Sequence, residues 1–163
     1  MIYILSGDIR SGKTTALLNW VEGRNDVDGL LCPDGENGKR FFLNIKSKQQ
    51  FELEVESESE DTITIGSFHF LKSSFKRANE FLMLMLMAPA KMFLVIDELG
   101  KLELKNQGLH DPATLLIPKF INNTKQHLIL VVRTSLYDET IQHYGIENHK
   151  RITVKDLAEN SLA

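Results

Sequence analysis

The chain has 163 residues, of which 42% are apolar and 25% are charged, a composition typical of one ordinary globular domain. Its formal net charge of −3 gives no sign of a nucleic-acid partner. The single cysteine, Cys32, cannot form an internal disulfide, which fits a reducing compartment. The first apolar run ends at Ser6 without a leading positive charge, and the run at residues 81–88 is too short to cross a bilayer. We therefore expect a cytoplasmic protein without a signal peptide or a membrane span.

A phosphate-binding motif follows the first predicted strand, at residues 2–5. Its sequence, Gly7-Asp8-Ile9-Arg10-Ser11-Gly12-Lys13-Thr14, matches G-x-x-x-x-G-K-[ST], and a predicted helix begins at Thr15. In this context the glycines let backbone N–H groups converge on a phosphate, and the helix N-terminus adds a positive dipole end. We expect Lys13 to reach the β- and γ-phosphates and Thr14 to ligate Mg²⁺. The predicted nucleotide contacts are Gly7, Asp8, Ile9, Arg10, Ser11, Gly12, Lys13, Thr14 and Thr15.

The segment between residues 27 and 89 combines strand and helix patterns. The alternating segments 40–45 and 51–55 predict two antiparallel strands, an insertion at about residues 33–57 on one edge of the sheet. The acids and serines of residues 56–61 indicate a solvated loop or, alternatively, an acidic interaction patch. The remaining predictions here are strands at 27–31 and 62–66 and a helix at 67–88 that ends at Pro89.

The rest of the chain alternates buried strands with helices. Strands are predicted at 92–96, 127–132 and 152–154, and helices at 112–122, 138–143 and 155–160. This alternation predicts one α/β domain over residues 1–163 with a mostly parallel sheet. Because ligands bind beyond the carboxyl ends of such strands, the phosphate loop and the ends of strands 92–96 and 127–132 should line one crevice.

Asp97 and Glu98 emerge at the carboxyl end of the apolar strand 92–96. With a phosphate loop in the same chain, this pair predicts that Asp97 holds the hydration shell of Mg²⁺ and that Glu98 orients or deprotonates the attacking water. The long stretch between Lys13 and Asp97 leaves room for an extra strand, and residues 62–66 are the candidate. Such a strand accompanies glutamate-based hydrolysis.

Arg133 and Thr134 end the next buried strand, where a polar residue commonly senses the γ-phosphate. Three roles stay open for Arg133: catalysis in the same chain, catalysis in a neighbouring chain of an oligomer, or a structural pair with a surface carboxylate. Arg10 is interpreted as pointing to water. The five histidines lack metal-ligand spacing. No Asn-Lys-x-Asp segment follows residue 132, so guanine selectivity of the regulatory-GTPase kind is not supported.

Three segments together resemble the small nucleoside-triphosphatases of the THEP type. They are Gly12 to Thr15, Gly38 to Phe42, and the Asp-Glu-Leu-Gly-Lys-Leu-Glu-Leu segment from Asp97 to Leu104. The resemblance implies a P-loop NTPase fold of the additional-strand, catalytic-glutamate class with a small antiparallel insertion. It also implies Mg²⁺-dependent hydrolysis of ATP, GTP and other nucleoside triphosphates, with broad base tolerance.

The resemblance also makes Lys101 a site candidate, although a solvated lysine is an equal interpretation. Arg40 lies in the second matched segment without an assigned role. The chain departs from the family where Arg10 replaces a usual glycine and where an expected arginine near residues 34–36 is missing. These departures concern the geometry of the loop and the contact with the base.

The leading hypothesis is an NTP phosphohydrolase that uses Lys13, Glu98 and Arg133 in catalysis and Thr14 and Asp97 for Mg²⁺. One alternative is a kinase for a small metabolite or nucleoside, which needs an acceptor pocket and usually an arginine-bearing lid. No arginine cluster of that kind is visible in the sequence. Another alternative is a nucleotide-dependent switch or assembly protein, acting through a homo-oligomer or another protein partner.

Overall fold

A computed structural model describes residues 1–88 and 91–162 of the chain. Two sheets and a set of short helices make up this part. Its strands are β1 (Ile2–Gly7), β2 (Val27–Leu31), β3 (Phe41–Asn44), β4 (Gln50–Glu52), β5 (Glu54–Val55), β6 (Thr62–Ile65), β7 (Phe68–Leu71), β8 (Phe93–Ile96), β9 (His127–Arg133) and β10 (His149–Ile152). Its α-helices are α1 (Lys13–Val21), α2 (Lys72–Leu84), α3 (Lys101–Leu104), α4 (His110–Phe120), α5 (Tyr137–Tyr144) and α6 (Val154–Ala158).

The main sheet has the strand order β10-β1-β9-β8-β2-β3-β4. From β10 to β2 all neighbours are parallel, whereas β3 and β4 are antiparallel. The second sheet has three antiparallel strands in the order β5-β7-β6. The α/β fold class, the mostly parallel sheet and the antiparallel strands at its edge are therefore as the sequence predicts.

Helices cover both faces of the main sheet, which explains the uninterrupted apolar runs of its central strands. In β1, Ile2 and Ile4 pack in a cluster with residues of α2 and α4, while Tyr3 and Leu5 pack with residues of α1 and α6. Among residues 1–88 and 91–162, no helix has the length and apolar character that crossing a membrane requires.

The extra strand of the sheet is β9, which lies between β1 and β8. The candidate chosen from the sequence, residues 62–66, was wrong, because β6 belongs to the small antiparallel sheet. The strand between β1 and β8 comes later in the chain than either of them. The helix α4 precedes it and connects it to the region after β8. As a result, the carboxyl ends of β1, β9 and β8 are neighbours.

The predicted helix at residues 67–88 begins too early. Phe68–Leu71 forms β7, which pairs with β6 across a tight turn in which Gly66 has φ 59°. The Phe-His-Phe-Leu sequence suits a strand that buries Phe70 on one face. The helix α2 then runs from Lys72 to Leu84. Pro89, the predicted end of this helix, lies outside the described residues.

Gly29 fixes the distance between β2 and β8, and replacing it with alanine should prevent correct pairing. Its φ is 127°, and a Cβ there would stand 2.1 Å from the backbone oxygen of Val95. We expect a loss of more than about 3 kcal/mol in the free energy of unfolding, measured in urea. Gly23→Ala is the control. Gly23 also has a positive φ (71°), but a Cβ added there would have no other atom within 4 Å. It should cost about 1–2 kcal/mol. Equal losses in the two variants would contradict a steric role for Gly29.

Candidate functional site

The phosphate loop connects β1 to α1, as the motif predicts. Gly12 at the N-terminus of α1 has φ 82°, and a Cβ on Gly7 would come within 2.5 Å of Ser11 Oγ. The positive φ at position 12 therefore favours glycine, and a side chain at position 7 would require the Ser11 hydroxyl to move. Residues 8–12 of the loop are exposed, and within the loop the backbone N–H of Ser11 donates to the carbonyl oxygen of Asp8 at 3.2 Å.

Arg10 has a positive φ of 58° and is exposed. This left-handed conformation favours glycine, which is the residue usual at this position in the family that the sequence resembles. The departure from the family pattern thus replaces the residue best suited to the backbone with one that adds a positive charge at the rim of the loop.

Lys13 is almost fully buried, with an exposed fraction of 6%. Its Nζ donates to the carbonyl oxygens of Gly7 (3.0 Å) and Asp8 (2.6 Å) and lies 3.3 Å from Ser11 Oγ. The ammonium group is therefore held inside the loop, with loop oxygens as its partners.

The phosphate loop and the end of β8 meet through one hydrogen bond. Thr14 Oγ1 donates to Asp97 Oδ2 at 2.8 Å, and the backbone N–H of Cys32 donates to the same oxygen at 3.1 Å. Asp97 is 1% exposed, and burial together with the neighbouring Glu98 carboxylate raises the pKa of Asp97 to about 6. Burial also raises the pKa of the Cys32 thiol, which keeps it protonated and unreactive.

Glu98 and Arg133 form an ion pair at the ends of β8 and β9. Arg133 Nε lies 3.2 Å from Glu98 Oε1, and each side chain is 24% exposed. The carboxylate that pairs with Arg133 is thus the one predicted to act on water. Three other residues that the sequence suggested, Thr15, Lys101 and Thr134, are exposed.

Glu103 is a buried acid that sequence reasoning did not select. Its carboxylate accepts hydrogen bonds from the backbone N–H groups of Gly100 (2.8 Å) and Leu109 (2.9 Å). Burial raises the pKa of Glu103 to about 6, against the opposing effect of these donors. The side chain fixes the loop that follows Glu98. The available signal was its position three residues after Gly100, at the start of a short helix.

Glu103→Gln should change how stability depends on pH. Because the pKa of Glu103 is raised from 4.5 to about 6, the folded protein binds this proton more tightly than the unfolded chain does. The contribution of Glu103 to the free energy of unfolding is therefore largest below pH 4.5 and falls as pH rises through 6. Relative to wild type, Glu103→Gln should gain about 2 kcal/mol between pH 4.5 and pH 7.5, measured by urea unfolding.

The comparison between two pH values cancels any constant cost of replacing one carboxylate oxygen by an amide. Glu58→Gln, at an exposed position, is the matched control and should show no such gain. A pH-independent difference between Glu103→Gln and wild type would contradict the raised pKa.

A cavity of about 310 Å³ adjoins the acids. Its lining includes the polar residues Thr14, Asp97, Glu98 and Arg133 and also four phenylalanines. The phenylalanines are Phe42, Phe68, Phe70 and Phe75. The sequence did not predict these lining residues, because the helix predicted from residue 67 includes Phe68 and Phe70, which lie on the strand β7.

Arg40 joins the cavity wall to the insertion. Its guanidinium lies over the rings of Phe68 and Phe70, at 5.2 and 5.0 Å from their centroids, and its Nε is 3.4 Å from Glu54 Oε1. Arg40, which had no assigned role in the sequence, therefore links the aromatic residues of β7 to Glu54.

Comparisons with known proteins agree with this architecture. A family model described as NTPase matches residues 2–162. The crystal structure of THEP1 from the hyperthermophile Aquifex aeolicus is similar with a TM-score of 0.75, covering 98% of this chain and 96% of that chain at 15% sequence identity. This likeness shows the fold. A search of curated proteins gives no significant match. The resemblance noted in the sequence is therefore confirmed.

Proposed function

Since the chain belongs to the NTPase family, we propose that it hydrolyses nucleoside triphosphates with Mg²⁺, using the loop of residues 7–14 and the acids at the end of β8. The 2.8 Å hydrogen bond between Thr14 and Asp97 carries this proposal. It joins the residue type that ligates Mg²⁺ in a phosphate loop to the strand-end aspartate that completes such a site.

The phosphates would lie against the exposed backbone of residues 8–12 and the N-terminus of α1. The N–H groups and the helix dipole favour negative charge at that point. Lys13 would exchange its loop carbonyl partners for β- and γ-phosphate oxygens, which are stronger acceptors because they are charged. These contacts recognise phosphate and not the base, which supports activity on several nucleotides.

Thr14 and Asp97 are suited to hold Mg²⁺. Asp97 is buried beside a second carboxylate, and both effects raise its pKa, so a divalent cation would offset an unfavourable negative charge. Mg²⁺ prefers oxygen ligands and usually takes only one or two from the protein, which fits one hydroxyl and one carboxylate. When bound, the ion would neutralise charge on the β- and γ-phosphate oxygens.

Glu98 would accept a proton from the attacking water or orient it toward the γ-phosphorus. Its carboxylate is partly exposed, so water can reach it, and it is held by Arg133 at 3.2 Å. Arg133 would then either position Glu98 or turn to the γ-phosphate as charge develops there. Its partner in the same chain favours a role in cis over a role in a neighbouring chain.

Phosphate release from ATP, GTP, CTP and UTP tests the proposal. We expect release from all four in Mg²⁺ and none in EDTA, and purified protein should retain this activity through a sizing column. Asp97→Asn, which keeps an oxygen for Thr14 but lacks the charge, should lose most of the activity. If no nucleotide is hydrolysed in Mg²⁺, the proposed function is wrong.

A further inference from the structure

The cavity beside Glu98 lies beyond the γ-phosphate end of a bound nucleotide, an inference that rests on the function proposed above. In phosphoryl transfer the attacking and leaving oxygens stand roughly in line on opposite sides of phosphorus. Thr14, Asp97 and Glu98 all line the cavity, whereas the other loop residues do not. Because Glu98 is the residue proposed to act on the attacking water, we place the cavity on the side of the attacking group, with the base at the opposite end of the polyphosphate.

This space is much larger than hydrolysis needs. About 10–15 Å³ is enough for one water, and small-molecule sites begin at about 300 Å³. The cavity of about 310 Å³ is thus large enough for a compact organic molecule in front of Glu98. A single attacking water accounts for the polar residues of the lining but not for its phenylalanines.

The phenylalanine rings of the cavity stand in a fixed arrangement, and the guanidinium of Arg40, which also lines the cavity, lies over the rings of Phe68 and Phe70. The rings of Phe68 and Phe70 are nearly parallel, with 17° between their planes and 6.3 Å between their centroids. Phe75 meets Phe70 edge-on at 75°, which holds that ring in place. Phe68 remains 44% exposed, so an aromatic ring that enters the cavity would bury it further.

We propose that this cavity binds a small planar aromatic molecule that carries a hydroxyl group, and that this alcohol takes the place of water as acceptor of the γ-phosphoryl group. Its ring packs against Phe68 and Phe70, and its hydroxyl faces Glu98. The cavity would then be the acceptor pocket that a kinase requires.

The step requires only the nucleotide and the alcohol. The hydroxyl oxygen forms a bond to the γ-phosphorus while the bond from that phosphorus to the β–γ bridging oxygen breaks. Glu98 takes the hydroxyl proton, and the nucleoside diphosphate leaves with the electrons of the broken bond. The products are a phosphate monoester of the alcohol and the diphosphate, in place of inorganic phosphate.

The test uses the full chain with Mg²⁺ and ATP radiolabelled in its γ-phosphate. The probes are adenosine, guanosine, cytidine, uridine and pyridoxine, each an aromatic molecule with hydroxyl groups. With at least one probe, label should appear in a phosphate ester, and ADP formation should rise about tenfold because a bound acceptor is oriented.

Ser67→Trp tests whether transfer uses this cavity. Ser67 is exposed at the turn between β6 and β7 and lines the cavity, so an indole there would occupy the space of the acceptor without removing a core residue. The ratio of ester to inorganic phosphate should fall about tenfold. Ser57→Trp, the same change at an exposed position away from the cavity lining, should leave that ratio unchanged.

The possible failures are distinguishable. Release of inorganic phosphate without ester for all five probes overturns the acceptor proposal and leaves the hydrolase proposal standing. An equal ester ratio in Ser67→Trp and Ser57→Trp also overturns it, because transfer would then occur outside the cavity. If ATP is not cleaved with or without a probe, both proposals fail.

Discussion

Replacing Glu98 with glutamine is expected to lower kcat for ATP hydrolysis by about 10²–10⁴-fold, the usual contribution of a positioned proton acceptor. Glutamine has almost the same shape, and its amide oxygen can still accept from Arg133, now 3.2 Å from the carboxylate. It cannot take a proton from water. Single-turnover hydrolysis of Mg·ATP measures the chemical step, and calorimetric titration with Mg·ATP measures binding.

The affinity for Mg·ATP should stay within a few-fold of wild type, because in the proposed mechanism Glu98 acts on the attacking water and contributes mainly to the transition state. Glu56→Gln is the matched control, since it makes the same chemical change on the exposed loop after β5 and should hydrolyse at the wild-type rate. If Glu98→Gln hydrolyses as fast as this control, another residue or the substrate itself accepts the proton.

The fold and much of the candidate site follow from local patterns in the sequence. Buried parallel strands have continuous apolar runs, and these runs identified β8 and β9 to within a residue or two at each end. Since the carboxyl ends of parallel strands share one edge, the phosphate loop, Asp97 and Arg133 were expected in one crevice. The hydrogen bond between Thr14 and Asp97 is the kind of contact that this expectation implies.

The spatial order of the strands could not be predicted from local sequence patterns. β9 enters the sheet between β1 and β8 although it follows both in sequence, and no local pattern records which neighbour a buried strand takes. The short β7 was hidden because its four residues run directly into the amphipathic α2. Its strand character depends on pairing with β5 and β6, which is a tertiary effect.

The sequence also did not predict which residues Arg133, Arg40 and Glu103 contact. An arginine at a strand end has several acids within reach in sequence terms, and only the positions of β8 and β9 select Glu98. Arg40 lies over rings of a strand that had been assigned to a helix. The bonds of Glu103 to Gly100 and Leu109 close a loop whose path the sequence did not predict.

Lys13→Ala is expected to weaken the binding of Mg·ATP by about a hundredfold or more, which corresponds to the loss of one or two charge-assisted hydrogen bonds. Lys13 is 6% exposed, and its ammonium group lies in the loop within 3.3 Å of three loop oxygens. In the proposed complex the same ammonium group would meet the phosphates. Calorimetry with Mg·ATP measures the effect.

The loss should be specific for the phosphates. Lys46→Ala removes an exposed lysine from the turn between β3 and β4 and should bind Mg·ATP like wild type. The free energy of unfolding of Lys13→Ala should stay close to that of wild type in the absence of nucleotide, because water can solvate the carbonyl groups of the exposed loop. A variant that remains folded and binds Mg·ATP as tightly as Lys46→Ala would show that the loop is not the phosphate site. Both the hydrolysis by Glu98 and the acceptor cavity beyond it would then lose their basis, since each is placed relative to the γ-phosphate.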